Sequence, residues 1–296
     1  MPRGRISPWY VRKETVMEKS IKKYFPIFAL PTFVAFTIGF IIPFILGIYL
    51  SFCEFVTVSD AKFVGLKNYM RIIDDPEFMH ALWYTALFTV VSVIIINVFA
   101  FFIALLLTKG IKGTNIFRTV FFMPNLIGGI VLGYIWQLIL NGILGQFDRT
   151  LTYSSTYGFW GLIILMCWQQ IGYMMIIYIA GIQNISEDVM EAAKIDGANS
   201  RQILHKITLP MVMPSITICT FLTLTNSFKL FDQNLALTAG EPSNKSEMLA
   251  LNIYNTFYGR SGWEGVGQAK AVIFFILVAV IAVVQLNLTR RKEIQS

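Results

Sequence analysis

Two short polar clusters lie inside long apolar runs, and the first combines aromatic rings with side-chain amides. Residues 167–173 read CWQQIGY and hold Trp168, Gln169, Gln170 and Tyr173. An aromatic ring offers a face for stacking, and an amide both donates and accepts hydrogen bonds, which together suit a hydroxyl-rich solute. Glutamines in apolar helices also hydrogen-bond to neighbouring helices and hold them together. The cluster therefore predicts either a surface that binds a sugar or a helix–helix contact.

The second cluster, TNSFKLFDQN at residues 225–234, adds amide, hydroxyl and charged side chains. Asn226 and Ser227 are candidates for lining the same cavity as the first cluster. Lys229 and Asp232 are three residues apart, a spacing that lets opposite charges pair on one face of a helix. Alternatively, Lys229 faces the cavity and favours an acidic or phosphorylated solute. The sequence favours the ion pair.

No set of residues in the sequence has the spacing of a catalytic or metal site. The phosphate-binding pattern G-x-x-x-x-G-K-[ST] is absent from the chain. The two histidines and three cysteines, which share no ligand spacing, are His80, His205, Cys53, Cys167 and Cys219. We therefore assign no catalytic residue and no metal ligand, and we expect the chain to bind no cofactor of its own.

The string EAAKIDGANS is a charged, small-residue segment between two apolar runs. Ser186 is a good N-cap for a short helix, and Gly197 suits the left-handed conformation that ends one. Asn199 or Ser200 then caps a second short helix, which the Leu-Pro pair at 209–210 ends. The segment is expected to form an L shape of two short helices.

The first of these short helices has a face that indicates what it contacts. Ala192 and Ala193 beside Glu191 form a small, flat surface, and the carboxylate offers a charge-assisted hydrogen bond to Arg or Lys. A helix that lies on a membrane usually presents bulky apolar residues on one side and Lys or Arg on the other. The sequence therefore favours docking to another protein over an interfacial helix that merely orients the loop.

Six long apolar runs must position these clusters. Of 296 residues, 55% are hydrophobic and 14% are charged, whereas a soluble domain carries about 25% charged residues. A helix of about 20 apolar residues crosses the hydrocarbon core of a membrane. The predicted fold is therefore all-α, a polytopic membrane protein with six transmembrane helices and the L-shaped pair between the fourth and fifth. The six spans are expected at residues 25–52, 81–107, 119–140, 159–181, 211–228 and 271–288.

The distribution of Lys and Arg sets the predicted orientation. Sixteen of the 24 basic residues lie in the N-terminal stretch, the loops after spans two and four, and the C-terminal stretch. Since cytoplasmic loops accumulate Lys and Arg, both termini and the L-shaped pair are expected in the cytoplasm, and the net charge of +7 requires no nucleic-acid partner. The predicted parts are a cytoplasmic tail at 1–23, a transmembrane domain at 24–292 with the loop at 184–210, and a cytoplasmic tail at 293–296.

Several motifs resemble those of the permeases of binding-protein-dependent ABC importers. Glu191-Ala192-Ala193, followed by Gly197 and by LP at 209–210, is similar to the EAA loop of that family. The longer form EAAKIDGA…ITLP resembles its carbohydrate branch, the relatives of the maltose permease. FVGLKNYMRIIDDPEF before ALWYTALFT, and LTAGEPSNKSEMLALNIYNTFYG, resemble the entry into span two and the last outer loop of that branch. The resemblance covers roughly all six spans.

The resemblance implies a permease subunit, in the plasma membrane of a bacterium, whose EAA loop sits in a groove of a cytoplasmic ATPase. The residues implied for this coupling, with Asp196 and Arg201 at the rim, are Glu191, Ala192, Ala193, Asp196, Gly197, Arg201, Leu209 and Pro210. The implied partners are a second homologous permease, two ABC ATPase subunits that bind ATP and Mg²⁺, an extracellular solute-binding protein and a sugar. ATP hydrolysis then belongs to a separate polypeptide.

The resemblance also bears on the solute. In maltose-type permeases an aromatic-rich stretch at this distance before the EAA loop contributes to the sugar site. Trp168 and Tyr173 match it, whereas the Gln169-Gln170 pair departs from it, so the preferred sugar is expected to differ. The alternative function is a stand-alone secondary transporter or channel subunit. Such proteins typically need inverted repeats or buried coupling acids, and the sequence shows no convincing repeat.

Overall fold

The computed structural model describes the backbone of residues 16–293 and the side chains of residues 24–287. Most of the predicted tails at 1–23 and 293–296 lies outside these residues, as do the side chains of the basic residues at 290–292. The first helix already begins at Val16, so the last eight positions of the predicted N-terminal tail are helical.

Helices make up most of the described chain, in agreement with the all-α prediction. In chain order the α-helices are α1 (Val16–Phe36), α2 (Ile42–Leu50), α3 (Lys67–Ile73), α4 (Pro76–Leu107), α5 (Thr114–Phe122), α6 (Gly129–Gly145), α7 (Ser155–Gln183), α8 (Glu187–Ile195), α9 (Ser200–Ile203), α10 (Leu209–Met211), α11 (Met213–Phe228), α12 (Asp232–Leu237), α13 (Leu249–Gly259) and α14 (Glu264–Glu293). Two strands of two residues each, β1 (Cys53–Glu54) and β2 (Lys62–Phe63), pair antiparallel.

The first unit of the chain, residues 1–49, contains α1 and nearly all of α2. Helix α1 continues through Pro26 and Pro31, and a π-helical turn at Thr37–Ile41 joins it to α2. Pro43 follows that turn by two residues. Because proline lacks an N–H and its ring crowds the preceding turn, the wider π turn accommodates it without ending the helix.

The second unit, residues 50–296, is built around α4, α7 and α11. Helices α4 and α7 run parallel. Tyr84 packs edge-on against Phe159 near their N-terminal ends, with 5.6 Å between ring centroids. Phe101 packs against Tyr178 nearer their C-terminal ends, at 5.4 Å. The two helices therefore start at the same end of the bundle.

Two further contacts fix the directions of α11 and α14. Ser215 at the start of α11 lies against Gly181 near the end of α7, so α11 runs antiparallel to α7. Lys270 near the start of α14 reaches Asp75, which precedes α4, so α14 runs parallel to α4. One end of the bundle thus carries the starts of α4, α7 and α14. The opposite end carries the segment at 184–210.

A chain of side-chain hydrogen bonds crosses the centre of the bundle. Tyr178 on α7 donates from its hydroxyl to Asn97 Oδ1 on α4 at 2.8 Å. Asn97 Nδ2 donates to Thr223 Oγ1 on α11 at 3.3 Å. Polar side chains of this kind join helices inside membranes, where an unpaired polar group is costly. The three helices are therefore held in register by polar contacts as well as by packing.

Four helical stretches of the described chain are long and apolar enough to cross a membrane, and they lie within Tyr24–Leu50, Pro76–Leu107, Ser155–Gln183 and Glu264–Asn287. Two sharply bent helix pairs bring the number to six if each pair counts as one span. The described chain therefore has four to six candidate membrane spans, and the count of six stays a prediction.

The third predicted span, residues 119–140, is not one helix. The chain bends by 103° between Thr114–Leu126 and Gly129–Gly145. Pro124 lies in a 3₁₀ turn just before the bend, and Gly128 has the extended backbone conformation, with φ −61° and ψ 141°. A proline withholds one backbone N–H and a glycine leaves the helical conformation easily, so together they interrupt the apolar run.

Candidate functional site

A polar cavity of about 220 Å³ lies between α7 and the junction of α11 with α12. Its lining residues are Met166, Gln170, Asn226, Lys229, Leu230 and Gln233. The first polar cluster of the sequence contributes Gln170, and the second contributes Asn226 and Lys229. The fold therefore brings the two clusters together at one cavity, with amides and an ammonium group on its walls.

The two adjacent glutamines of α7 have different surroundings. Gln169 Nε2 donates to Ile127 O at 3.3 Å, and Gln169 Oε1 accepts from Gln233 Nε2 at 2.8 Å. These bonds tie α7 to the break before α6 and to α12. Gln170 lines the cavity and accepts a long hydrogen bond of 3.4 Å from Asn226. Gln169 thus joins neighbouring helices, as one alternative predicted, and Gln170 lines the cavity, as the other predicted.

Four of the predicted solute-binding residues are not among those that line the cavity, namely Gln169, described above, and Trp168, Tyr173 and Ser227. Trp168 is 43% exposed and packs against Trp136, with 5.6 Å between ring centroids. It projects about 200° around the helix from the lining glutamine two positions later. Tyr173 lies more than one helical turn after Trp168 and packs against Phe122, with 6.3 Å between ring centroids. Ser227 is fully buried inside the bundle.

The expected ion pair between Lys229 and Asp232 does not form. Among the residues that the structure describes, no carboxylate lies within 4.0 Å of the Lys229 ammonium. Helix α11 ends before Lys229 and α12 begins at Asp232, so the helical spacing that would bring the two charges together is interrupted. Lys229 is exposed in the cavity instead. Gln233, which also lines it, was not singled out from the sequence, although it lies in the same polar string.

The segment at 184–210, called the corner segment below, contains the two short helices that its capping residues predict. Helix α8 ends at Ile195, and Gly197, two residues later, has the left-handed φ of +77°. Ala198 N–H donates to Ala193 O at 2.9 Å, and Gly197 N–H donates to Lys194 O at 3.1 Å. These are the two bonds of a Schellman motif. A glycine is needed here because other residues adopt a positive φ only with strain.

Asn199, rather than Ser200, caps the second short helix. Asn199 Oδ1 accepts Gln202 N–H at 2.9 Å, and Gln202 Oε1 accepts Asn199 N–H at 2.8 Å. This reciprocal capping box starts α9. Ser186 stands at the N-cap position of α8, but its side chain makes no capping hydrogen bond.

Pro210 does not end the second helix, contrary to the expectation from the sequence. The helical turns continue through a π turn at Leu204–Thr208 and through α10 to Met211, and the chain then bends by 66° into α11. Leu209 N–H bonds to the carbonyl five residues earlier, so the wider turn accommodates the proline that follows. Helix α11 therefore starts two residues after the predicted start of span five.

The first short helix presents a distinct outward face. Glu191 and Ala192 are exposed, whereas Ala193 is only 9% exposed. Ile195, one turn from Glu191, is 86% exposed. A large apolar side chain left in the open beside a carboxylate is typical of a surface that another protein covers. Ile195 was not predicted to contact a partner, although its spacing of four residues from Glu191 indicates that both lie on one face of the helix.

The remaining residues of the predicted coupling set fall into two classes. Asp196 and Arg201 are exposed on either side of the glycine corner. Leu209 and Pro210 are half-buried where the segment bends into α11. The first two are accessible to a partner, and the last two position the segment.

The opposite end of the bundle holds a buried ion pair. Lys270 Nζ lies 2.7 Å from Asp75 Oδ2, and the two side chains are 0% and 5% exposed. Lys270 also donates to Asn252 Oδ1 at 2.9 Å and to Thr256 Oγ1 at 2.7 Å. Asn252 Nδ2 donates to Glu247 Oε2 at 2.7 Å. These five residues are called the Lys270 network below.

Asp75 serves as a helix cap as well as an ion-pair partner. Its Oδ1 accepts the backbone N–H groups of Glu77 and Phe78 at 3.0 and 3.3 Å, which caps α4. Burial raises the pKa of Asp75, but the hydrogen bond and charge of Lys270, together with these backbone N–H groups, outweigh it and hold the pKa below its ordinary value of 3.8. The carboxylate therefore stays charged, and the pair is a fixed feature of the fold.

Residues 96–294 match the family described as binding-protein-dependent transport system inner membrane component. The matched range includes α7, the corner segment and α11, and therefore both the polar cavity and the EAA motif. The chain belongs to this family. A component of a binding-protein-dependent system does not act alone, so the alternative of a stand-alone secondary transporter or channel does not hold. The permease is a multi-pass membrane protein.

The permease is similar along most of its length to two sugar-system permeases. It is 46% identical over 278 residues to the "probable starch degradation products transport system permease protein AmyD" of Thermoanaerobacterium thermosulfurigenes, covering 91% of this chain and 94% of that protein. It is 30% identical to the "multiple sugar-binding transport system permease protein MsmF" of Streptococcus mutans, covering 94% and 99%. Both relatives are transport subunits.

A solved structure shares the fold. A chain of a bacterial ABC transporter involved in the import of the acidic polysaccharide alginate superimposes with a TM-score of 0.79 at 19% sequence identity. The match covers 94% of this permease and 99% of that chain. The arrangement of helices described above is therefore that of an ABC importer permease.

Proposed function

We propose that this permease carries a sugar or oligosaccharide and forms half of its translocation path. The observation that carries the proposal is the cavity lined by Gln170, Asn226, Lys229 and Gln233, because amides and an ammonium group suit the hydroxyls of a sugar. The two relatives named for starch degradation products and multiple sugars support the same class of solute. Small-molecule sites usually enclose about 300 to 1,000 Å³, so this cavity needs a second, homologous permease to complete it.

The corner segment is the proposed docking surface for a cytoplasmic ATPase. Glu191, Ala192 and Ile195 supply an exposed carboxylate, a small residue and an apolar side chain on one face of α8. Gly197 turns the chain away sharply and leaves that face open. Asp196 and Arg201 are placed to form rim contacts. Two partner ATPase subunits bind ATP and Mg²⁺ and hydrolyse the ATP, and this chain holds no cofactor.

The proposed orientation places the corner segment and both termini in the cytoplasm. Lys194, Arg201 and Lys206 lie in the corner segment, and Lys109 and Lys112 follow α4 at the same end of the bundle. Basic residues accumulate on the cytoplasmic side of membrane proteins. The end that carries the Lys270 network then faces an extracellular solute-binding protein.

Sugar-stimulated ATP hydrolysis tests the cavity. The complex of this permease with its partner permease, ATPases and solute-binding protein is reconstituted in proteoliposomes and assayed with malto-oligosaccharides. Asn226→Ala removes one cavity amide and is expected to lower the stimulated rate roughly tenfold, the worth of one strong hydrogen bond, with basal hydrolysis unchanged. Gln146→Ala removes an exposed amide outside the cavity and serves as the matched control. Equal rates of sugar-stimulated hydrolysis in the two variants would show that the cavity is not part of the translocation path.

Co-purification tests the docking surface. Glu191→Lys reverses the exposed charge of α8, and the ATPase subunits are expected to be lost from the detergent-solubilised complex while the two permeases stay together. Asp74→Lys reverses an exposed charge at the opposite end and is expected to retain them. Retention of the ATPases by the Glu191 variant, with unchanged stimulation of hydrolysis, would show that α8 does not dock.

A further inference from the structure

A second cavity, of about 400 Å³, opens between α13 and α14. A continuous row of aromatic rings forms one wall. The ring centroids of Phe231 and Tyr254 are 5.2 Å apart, and those of Tyr254 and Tyr258 are 4.8 Å apart. Tyr254 and Tyr258 are 42% and 72% exposed. They lie on the face of α13 opposite Asn252 and Thr256, which belong to the Lys270 network, so the buried network fixes the helix that presents the rings.

The aromatic row begins where the polar cavity ends. Lys229 and Leu230 line the polar cavity, and the next residue, Phe231, lines the groove. Helix α13 lies at the end of the bundle that carries the Lys270 network. On the orientation proposed above, the groove is therefore on the outer side of the polar cavity, and a solute that enters from outside meets the groove first.

The chemistry of the groove favours a sugar over an acyl chain or a packed helix. The wall formed by α14 has the small residues Gly267 and Ala271, whereas the wall formed by α13 is built from large rings, which prevent the close approach of backbones that helix packing inside membranes uses. A tyrosine combines an apolar face with a polar hydroxyl, which matches the apolar face and hydroxyl edge of a pyranose. Gln268 on α14 adds an amide to the opposite wall. The exposed Gly259 and Ser261 follow Tyr258, so that end of the groove opens to water.

We propose that Phe231, Tyr254 and Tyr258 form an outer stacking site for an oligosaccharide, continuous with the polar cavity. The inference rests on the proposed sugar function and adds a second binding region to it. A short sugar is expected to occupy the polar cavity, once the second permease completes it, without reaching the aromatic row, whereas a longer chain extends along that row. The groove therefore gives the permease a preference for longer chains.

Uptake as a function of chain length tests this site in the reconstituted complex. The probes are radiolabelled maltose and maltoheptaose. The double variant Tyr254→Ala/Tyr258→Ala is expected to raise the half-saturating concentration of maltoheptaose roughly tenfold, the worth of one to two ring contacts, and to leave that of maltose unchanged. The double variant Tyr254→Phe/Tyr258→Phe keeps both rings and is expected to retain most of the preference.

Matched controls separate this proposal from the sugar function itself. Trp83→Ala removes a 71% exposed ring from α4 outside the groove and is expected to change neither sugar. If the wild-type complex takes up both sugars, two results for the alanine variant overturn the stacking site alone. The variant either takes up both sugars as the wild type does, or loses the uptake of both to the same extent. A wild-type complex that takes up neither sugar overturns both proposals. Loss of the partner permease from the alanine variant also overturns the stacking site and assigns the groove to a subunit contact.

Discussion

The Lys270 network and the corner segment lie at opposite ends of one bundle and are held in opposite ways. Lys270 and Asp75 are buried, far apart in sequence, and surrounded by hydrogen bonds from α13. The corner segment is largely exposed, and its turns are fixed by bonds between residues a few positions apart, around Gly197 and Asn199. One end is therefore stabilised by long-range contacts, and the other keeps its shape through local ones.

The difference matches what each end is proposed to do. A buried charge pair with a full set of partners has few alternative arrangements, so the helices around it stay in place. A surface that docks with another protein has to remain accessible until the partner arrives. The corner segment combines a defined backbone with an exposed face, and Ile195 is the clearest sign of an uncovered contact.

The largest effect is expected from breaking the Lys270 network. Lys270→Met leaves the carboxylate of Asp75 buried without its cation, which costs about 3–5 kcal/mol. The purified permease is expected to lose its monodisperse form at a markedly lower temperature. Lys67→Met removes the exposed ion pair with Glu54 and is expected to lower that temperature far less, because solvent screens an exposed pair.

A double variant makes that test independent of general damage. Asp75→Asn combined with Lys270→Met removes both charges and keeps a good N-cap for α4. It is expected to recover a large part of the lost thermal stability, since an apolar replacement of a whole buried pair is often close to neutral. A double variant less stable than Lys270→Met alone would show that the pair is not the reason for the loss.

A smaller and more local effect is expected at the glycine corner. Gly197→Ala places a Cβ on a residue with a φ of +77°, which costs about 1–2 kcal/mol. The amide of Ala198, bonded across the corner, is expected to exchange with solvent roughly fivefold faster or more. Gly142→Ala, in the last turn of α6 with no atom near the new Cβ and no positive φ, is the matched control and should not accelerate exchange. Unchanged exchange at Ala198 would contradict the need for glycine at the corner.

The smallest effect separates two capping positions of the same segment. Asn199→Ala removes the capping box of α9 and is expected to cost about 1 kcal/mol, seen as faster exchange of the Gln202 amide. Ser186→Ala removes a side chain that makes no capping bond and is expected to leave the first turn of α8 nearly unchanged. The opposite ranking would place the functional cap at Ser186.

The same contrast explains how much the sequence could predict. Gly197 and Asn199 act on neighbours within a few residues, so capping preferences were enough to predict both short helices. The break of the third span was missed because a run of apolar residues looks continuous, and only Pro124 and Gly128 marked the bend. Lys229 was paired with Asp232 on the assumption of a continuous helix, which the end of α11 removes.

Long-range contacts were outside the reach of sequence patterns. No local signal connects Lys270 with Asp75, which is 195 positions earlier in the chain. The split between Gln169 and Gln170 likewise depends on which neighbouring helix each one faces. The EAA motif was enough to predict the family and its function from the sequence. The cavity of the proposed solute site could be identified only from the folded structure.

Hydrogen–deuterium exchange tests the central claim most directly, by comparing the paired permeases alone with the complete complex that includes the ATPases. The amides of α8 and α9 are expected to exchange more slowly once the ATPases are bound, while those of α13 around the Lys270 network are protected equally in both states. Unchanged exchange in α8 and α9, with new protection at another cytoplasmic loop, would contradict the assignment of the corner segment as the docking surface.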